Sequence, residues 1–269
     1  MKKAIVCLGL LISTSLCAAV VEDNHGTGDV RVVPVEATPQ PDSVEIHLAF
    51  PERGADNQKN PVSIQMRLQG YPIGYDSYIP RAKEIRNSRE GQAIRILIDN
   101  ESYMEVNDAI DSFTDSEEAD FNSTLETKIP FNLKPGPHLI RMFLVRSYGE
   151  SLKGNSCYAA SYFFVGPKQD NPFDLSKPYL TYNQPEGEFK GNQPILLDFY
   201  ISNTQLSKDG YKVRLTIDGK DKRLLTEWAP YYIYGLKSGS HKIKLELLDP
   251  QNHVMTGFFR ETQRTILVK

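Results

Sequence analysis

The sequence predicts an all-β chain: two tandem β-sandwiches that follow a signal peptide and a short flexible tether. Three observations predict it. Apolar residues alternate with polar ones at period two in several segments, as in PVSIQMRL, where Val62, Ile64, Met66 and Leu68 share one face. The phrase LKPGPHLIRMFLV (Leu133–Val145) returns as LKSGSHKIKLELL (Leu236–Leu248). Other landmarks repeat in the same order: Pro51-Glu52-Arg53-Gly54 with Pro185-Glu186-Gly187, and IRILIDN with VRLTIDG. An ordered set of shared features is a stronger sign of duplication than any single periodic stretch.

The N-terminus differs from the rest. Met1-Lys2-Lys3 is basic, Ala4 to Leu16 is uncharged, and Cys17-Ala18-Ala19 offers small residues for cleavage. This is the layout of a secretory signal over 1–19, too short to span a bilayer, and no later stretch reads as a transmembrane helix. Residues 20–42 carry Pro34, Pro39 and Pro41 in a polar context and read as a flexible tether. The first module is expected at 43–166. It carries two insertions relative to the second, one between Leu68 and Ile94 and one between Asn100 and Lys128. A Pro/Gly/Asp-rich stretch makes 167–178 a hinge, and the second module covers 179–269.

The repeated phrase reads as a strand-turn-strand corner, used once per module. Gly136 and Gly239 supply backbone that turns with positive φ, Pro135 fixes the bend in the first copy, and a new strand starts at His138 and at His241. The short strands, the turn signals and the L-x-x-G-x-H corner resemble bacterial immunoglobulin-like or fibronectin-type modules of exported proteins. The resemblance implies a fold and leaves function open. The Cys…Trp…Cys core of true immunoglobulin domains is missing.

Composition excludes some functions. A net charge of −3 and a pI near 6.0 give no basic footprint for nucleic acid. Outside the signal zone only Cys157 remains, so no disulfide framework exists. His25, His47 and His253 lie in no zinc spacing. No Gly-rich phosphate loop and no G-x-S-x-G appears, and neither Ser147 nor Cys157 has an evident base nearby, so no catalytic residue, metal site or cofactor is assigned.

Four features remain for binding or anchoring, each with a plain structural alternative. Tyr71, Tyr75 and Tyr78 lie on the first insertion among Gly, Pro and Asp, and are the candidate contact residues; otherwise they fold back over the module. The second insertion has no Lys or Arg between Arg95 and Lys128, and Asp111, Asp115, Glu117 and Asp120 could hold calcium, although a solvated loop is favoured. His138 and His241 read as structural ties of their turns rather than as ligands. Cys17 is the candidate lipid anchor, but Thr14 and Leu16 fit a lipoprotein signal poorly, so plain cleavage after Ala18 or Ala19 is favoured.

The expectation is therefore a non-enzymatic, exported envelope protein. It binds a protein or glycan partner, or acts structurally, through loops of its first module. A carbohydrate-binding accessory module, or a domain serving an envelope hydrolase, is the alternative.

Overall fold

The computed structural model describes residues 22–23, 30–108 and 123–269. In chain order the strands are β1 (Glu22–Asp23), β2 (Arg31–Pro34), β3 (Glu45–Phe50), β4 (Ser63–Gln69), β5 (Ala93–Ile98), β6 (Met104–Val106), β7 (Ser123–Lys128), β8 (Gly136–Val145) and β9 (Tyr158–Val165). They continue as β10 (Tyr179–Gln184), β11 (Gly187–Phe189), β12 (Ile195–Ser202), β13 (Lys212–Ile217), β14 (Asp221–Leu225), β15 (Tyr231–Tyr234), β16 (Gly239–Leu248) and β17 (Glu261–Val268). A single α-helical turn, α1 (Arg81–Glu84), lies in the first insertion.

Four sheets form. In the first half β3-β4-β7 lies over β6-β5-β8-β9, and in the second half β10-β12-β15-β2 lies over β1-β14-β13-β16-β17-β11. The alternation in PVSIQMRL is realised: Ile64, Met66 and Leu68 are buried while Gln65 and Arg67 are exposed. These side chains join Ile96, Met142 and Phe163 in one core. Leu197, Phe199, Val213, Leu215 and Leu245 fill the other. Each large apolar side chain so buried contributes roughly 1.5–3 kcal/mol, and this burial supports both cores without a disulfide. The two X-Pro bonds that match in the duplication, Phe50-Pro51 and Gln184-Pro185, are both cis.

Residues 30–42 depart from the expected flexible tether. Arg31–Pro34 pairs antiparallel with β15, and Val32 enters the second core. The stretch was read as linker because its prolines cluster. Pro34, however, ends an edge strand, where a missing N–H is tolerated. The hinge is packed as well. Phe173 lies buried against Leu139 of the first half and Tyr179 and Phe259 of the second.

A third apolar cluster joins the two halves. Ala93, Leu97, Phe143 and Val145, on the outer face of the β5–β8 sheet, meet Tyr200 of β12. Tyr158 stacks on Tyr200 with centroids 4.6 Å apart, and Trp228 meets it edge-on at 4.8 Å. This is why β5 is buried on both faces rather than alternating.

Three charges sit alone within apolar strands, and all three serve this junction. Arg95 donates to Glu105 at 2.7 Å and to Asn183 across the junction. Arg141 donates to Thr181 Oγ1 at 3.0 Å, to the Leu180 carbonyl at 3.5 Å and to the Asp99 carbonyl, with its guanidinium 4.4 Å from the centre of the Phe259 ring. Burial lowers its pKa to about 10. Fully buried Asp198 accepts Ser151 N–H at 3.1 Å, Ser151 Oγ at 2.6 Å, Asn183 at 2.5 Å and Lys153 at 2.5 Å. Next to Ser151 in the chain, Glu150 accepts the amide and hydroxyl of Thr38 at 2.9 and 3.0 Å and pairs with Arg81. One tight segment, 147–153, thereby ties together both sandwiches, the N-terminal segment and the first insertion.

Candidate functional site

The first insertion is an ordered platform. Gly74 N–H donates to the Gln92 carbonyl at 2.8 Å, and Gln92 N–H returns a bond to the Tyr75 carbonyl at 2.8 Å. The Gln92 side chain holds the Pro72 carbonyl at 2.7 Å and the Ser77 hydroxyl at 2.8 Å. Ser77 and Ser147 exchange backbone-to-hydroxyl bonds of 2.9 and 3.1 Å. Gly91 is required here by both conformation and space. Its φ is +80°, and a Cβ would lie 2.4 Å from the carbonyl carbon of Gly74.

This platform separates the three tyrosines. Tyr71 is a correction to the sequence reading: it is only 2% exposed, belongs to the first core, and donates its hydroxyl to the Val145 carbonyl at 3.0 Å. Burial raises its pKa, so it remains a neutral donor. Tyr75 is 38% exposed and Tyr78 93%. An exposed aromatic on a fixed backbone offers contact area with little ordering cost, and Tyr78 is the foremost such group among the described residues.

The second insertion yields less. Residues 109–122, with Asp111, Asp115, Glu117 and Asp120, lie outside the described residues, as does Cys17. Among the described residues no group of three His, Cys, Asp or Glu side chains could hold a metal ion. No helix among them is long and apolar enough to cross a membrane.

The two corners have one geometry. His138 Nδ1 meets Asp99 Oδ2 and its Nε2 the Lys134 carbonyl, both at 2.7 Å. His241 meets Asp218 at 2.7 Å and the Lys237 carbonyl at 2.8 Å. In each copy the other carboxylate oxygen accepts a strand amide, from Leu139 at 2.9 Å and from Lys242 at 2.7 Å. Asp99 and Asp218 both adopt positive φ, 54° and 52°, and Gly136 and Gly239 sit at 135° and 137°. Burial disfavours each imidazolium. The aspartate hydrogen bond, the lysine carbonyl and the aspartate charge outweigh it, so both pKa values are raised. With an acceptor at each ring nitrogen, the doubly protonated ring suits the geometry best.

The remaining candidates are accounted for by packing. Trp228 donates to the Phe199 carbonyl at 3.0 Å, Tyr231 lies in the second core, and the Tyr232 hydroxyl donates to Glu84 at 3.2 Å. Cys157 is buried and its thiol pKa is raised by burial. The Asp198 network escaped the sequence reading, although the lone acid in ILLDFYIS signalled it.

No protein family profile and no curated relative matches the sequence. Solved structures resemble it distantly. Fibronectin(III)-like modules of Clostridium thermocellum CbhA align over 83% of this chain and 94% of theirs, at 14% identity and a TM-score of 0.28. The Bacteroides ovatus SGBP-B of a mixed-linkage glucan utilization locus, in complex with a mixed-linkage heptasaccharide, aligns over 84% of this chain and 47% of its own, at 13% identity and a TM-score of 0.20. The likeness is one of fold, to bacterial β-sandwich modules.

Proposed function

We propose that the chain is an exported, non-enzymatic envelope protein whose first sandwich makes the partner contact, with the second as its platform. The observation that carries this is Tyr78, 93% exposed at the head of an insertion that the second copy lacks. The loop beneath it is fixed by Gln92, Ser77 and Ser147. Long ordered loops persist in compact domains mostly where they function. Tyr75 and Tyr78 are the contact residues in this reading, and Tyr71 anchors the loop. Cys17 remains the candidate lipid anchor.

The test is photo-crosslinking in intact cells, with the crosslinker at position 78 or, as a control, at exposed Lys220 in the β13–β14 turn of the second sandwich. A discrete product from 78 and none from 220 is expected. Products from 220 alone would overturn the assignment. A product that glycosidase treatment removes would favour the carbohydrate-binding alternative.

A further inference from the structure

On the open side of the first sandwich the edge strands β3 and β9 flank a groove of about 380 Å³, walled by Glu45–Leu48 and by Tyr158–Ser161. Past Arg53, Asn155 and Tyr158 it continues into a second depression of about 230 Å³ that reaches Tyr179 and Ser202. The outward edge of β9 is already half used. Gly54 N–H donates to the Tyr162 carbonyl at 2.7 Å, Phe164 N–H to Ala55 at 2.8 Å, and Gln58 N–H to Phe164 at 3.1 Å. Residues of an edge strand alternate between facing the ladder and facing outward. Tyr158 and Ala160 are in phase with Tyr162 and Phe164, so their amides and carbonyls face outward. Among the described residues those groups have no backbone partner.

Three further observations bear on the edge. Ser161 is 6% exposed, its hydroxyl has no partner, and it lines the groove beside Leu48 and Ala159. Arg53, where the two depressions join, has no partner among the described residues. The segment Tyr158-Ala159-Ala160-Ser161 also lacks the devices that protect an edge, having no Lys, Pro or bulge. Its counterpart in the second sandwich, Glu261-Thr262-Gln263-Arg264, is charged and is covered by Asn100 and Glu101 of the first.

We propose that this edge is a strand-addition site that accepts an extended peptide segment of a protein partner. The peptide continues along β9 the backbone pairing that Gly54–Gln58 already makes. Small hydroxyl-bearing residues turn inward, their carbon atoms against Leu48 and Ala159 and their oxygen on Ser161. Acidic residues turn outward toward Arg53. A sugar is disfavoured because Tyr158 and Tyr200 stack on one another at 4.6 Å, which withholds those faces from a pyranose ring.

The test uses the full chain and a fluorescent hexapeptide of alternating threonine and glutamate, with a threonine–lysine peptide as control. Binding of the acidic peptide is expected, with slowed amide exchange at Tyr158 and Ala160. Ala160→Pro removes an outward N–H and leaves the β8 ladder, as edge prolines do; it should weaken binding about tenfold, the worth of one hydrogen bond. Arg53→Glu should reverse the preference toward the lysine peptide, and it keeps the proposal testable should Ala160→Pro misfold. No protection at 158 and 160 up to about 1 mM peptide, the weak end of specific recognition, would overturn the proposal. So would affinity that falls with Tyr78→Ala but not with Ala160→Pro. The loop reading does not depend on this edge, since Tyr78→Ala should leave hexapeptide binding unchanged.

Discussion

The corner at Asp99–His138 and the corner at Asp218–His241 share their imidazole and strand-amide hydrogen bonds, yet their neighbours differ. The first is built into the junction. Arg141 donates to the Asp99 carbonyl, and Arg264 donates to the carbonyls of Asn100 and Glu101 at 2.8 and 2.9 Å. The second faces water: a Cβ added at Gly219, just after Asp218, would touch nothing within 4 Å. The shared part of the design therefore holds each sandwich shut, and what surrounds it sets what its loss costs. The first copy also carries an ordered insertion, whose Tyr71 and Arg81 are built into the fold while Tyr78 stands in solvent.

The largest effect is expected at the junction itself. Asp198→Ala removes the buried carboxylate that pairs with Lys153 and accepts from Asn183 and Ser151, leaving Lys153 only the Ser151 hydroxyl and the Phe199 carbonyl, and breaking such a buried pair costs about 3–5 kcal/mol. Urea unfolding would measure it. A loss below about 1 kcal/mol, the scale of an exposed pair, would mean the network does not hold the halves together.

The corners come next. Asp99→Ala should destabilise by about 2–3 kcal/mol and Asp218→Ala by about 1–2 kcal/mol, because the first also removes the carboxylate charge that favours the buried Arg141 guanidinium. Equal losses in denaturant titrations would show that surroundings do not matter.

The histidines sharpen this with pH. Their folded pKa values are raised, so their contribution is complete below the unfolded value of roughly 6.5 and fades as pH rises through the folded value. The gap in melting temperature between wild type and His138→Gln should be widest near pH 6 and narrow toward pH 9. A gap that widens with pH would refute the imidazolium assignment.

The smallest effects separate fold from surface. Gly136→Ala and Gly239→Ala, both at φ near 136°, should each cost about 1 kcal/mol. Tyr78→Ala should change stability by less than about 0.5 kcal/mol, as exposed substitutions do.

Much of the fold was legible in the sequence. The corner could be read from LKPGPH and LKSGSH because a turn is encoded locally, by glycine and by the residue that bonds across it. Strands such as Ser63–Gln69 were legible because one face is wet. Strand β5 was not a simple case, since its outer face meets another sandwich and local alternation fails. Residues 31–34 looked like linker because their partner, β15, lies about two hundred residues away, beyond any local pattern. In the candidate site, the loop was visible as an insertion. Tyr71 and Tyr78 could not be told apart, because burial there is decided by Val145 and the core around it, outside the loop's own sequence.

The junction is the central structural claim, and fragment melting tests it most directly. Residues 178–269 alone lack β2, Arg141, Ser151 and Lys153. The full chain is predicted to unfold in one cooperative transition, and the fragment to show none, or one far below it. A fragment that melts cooperatively at the temperature of the full chain would contradict the coupling of the two sandwiches.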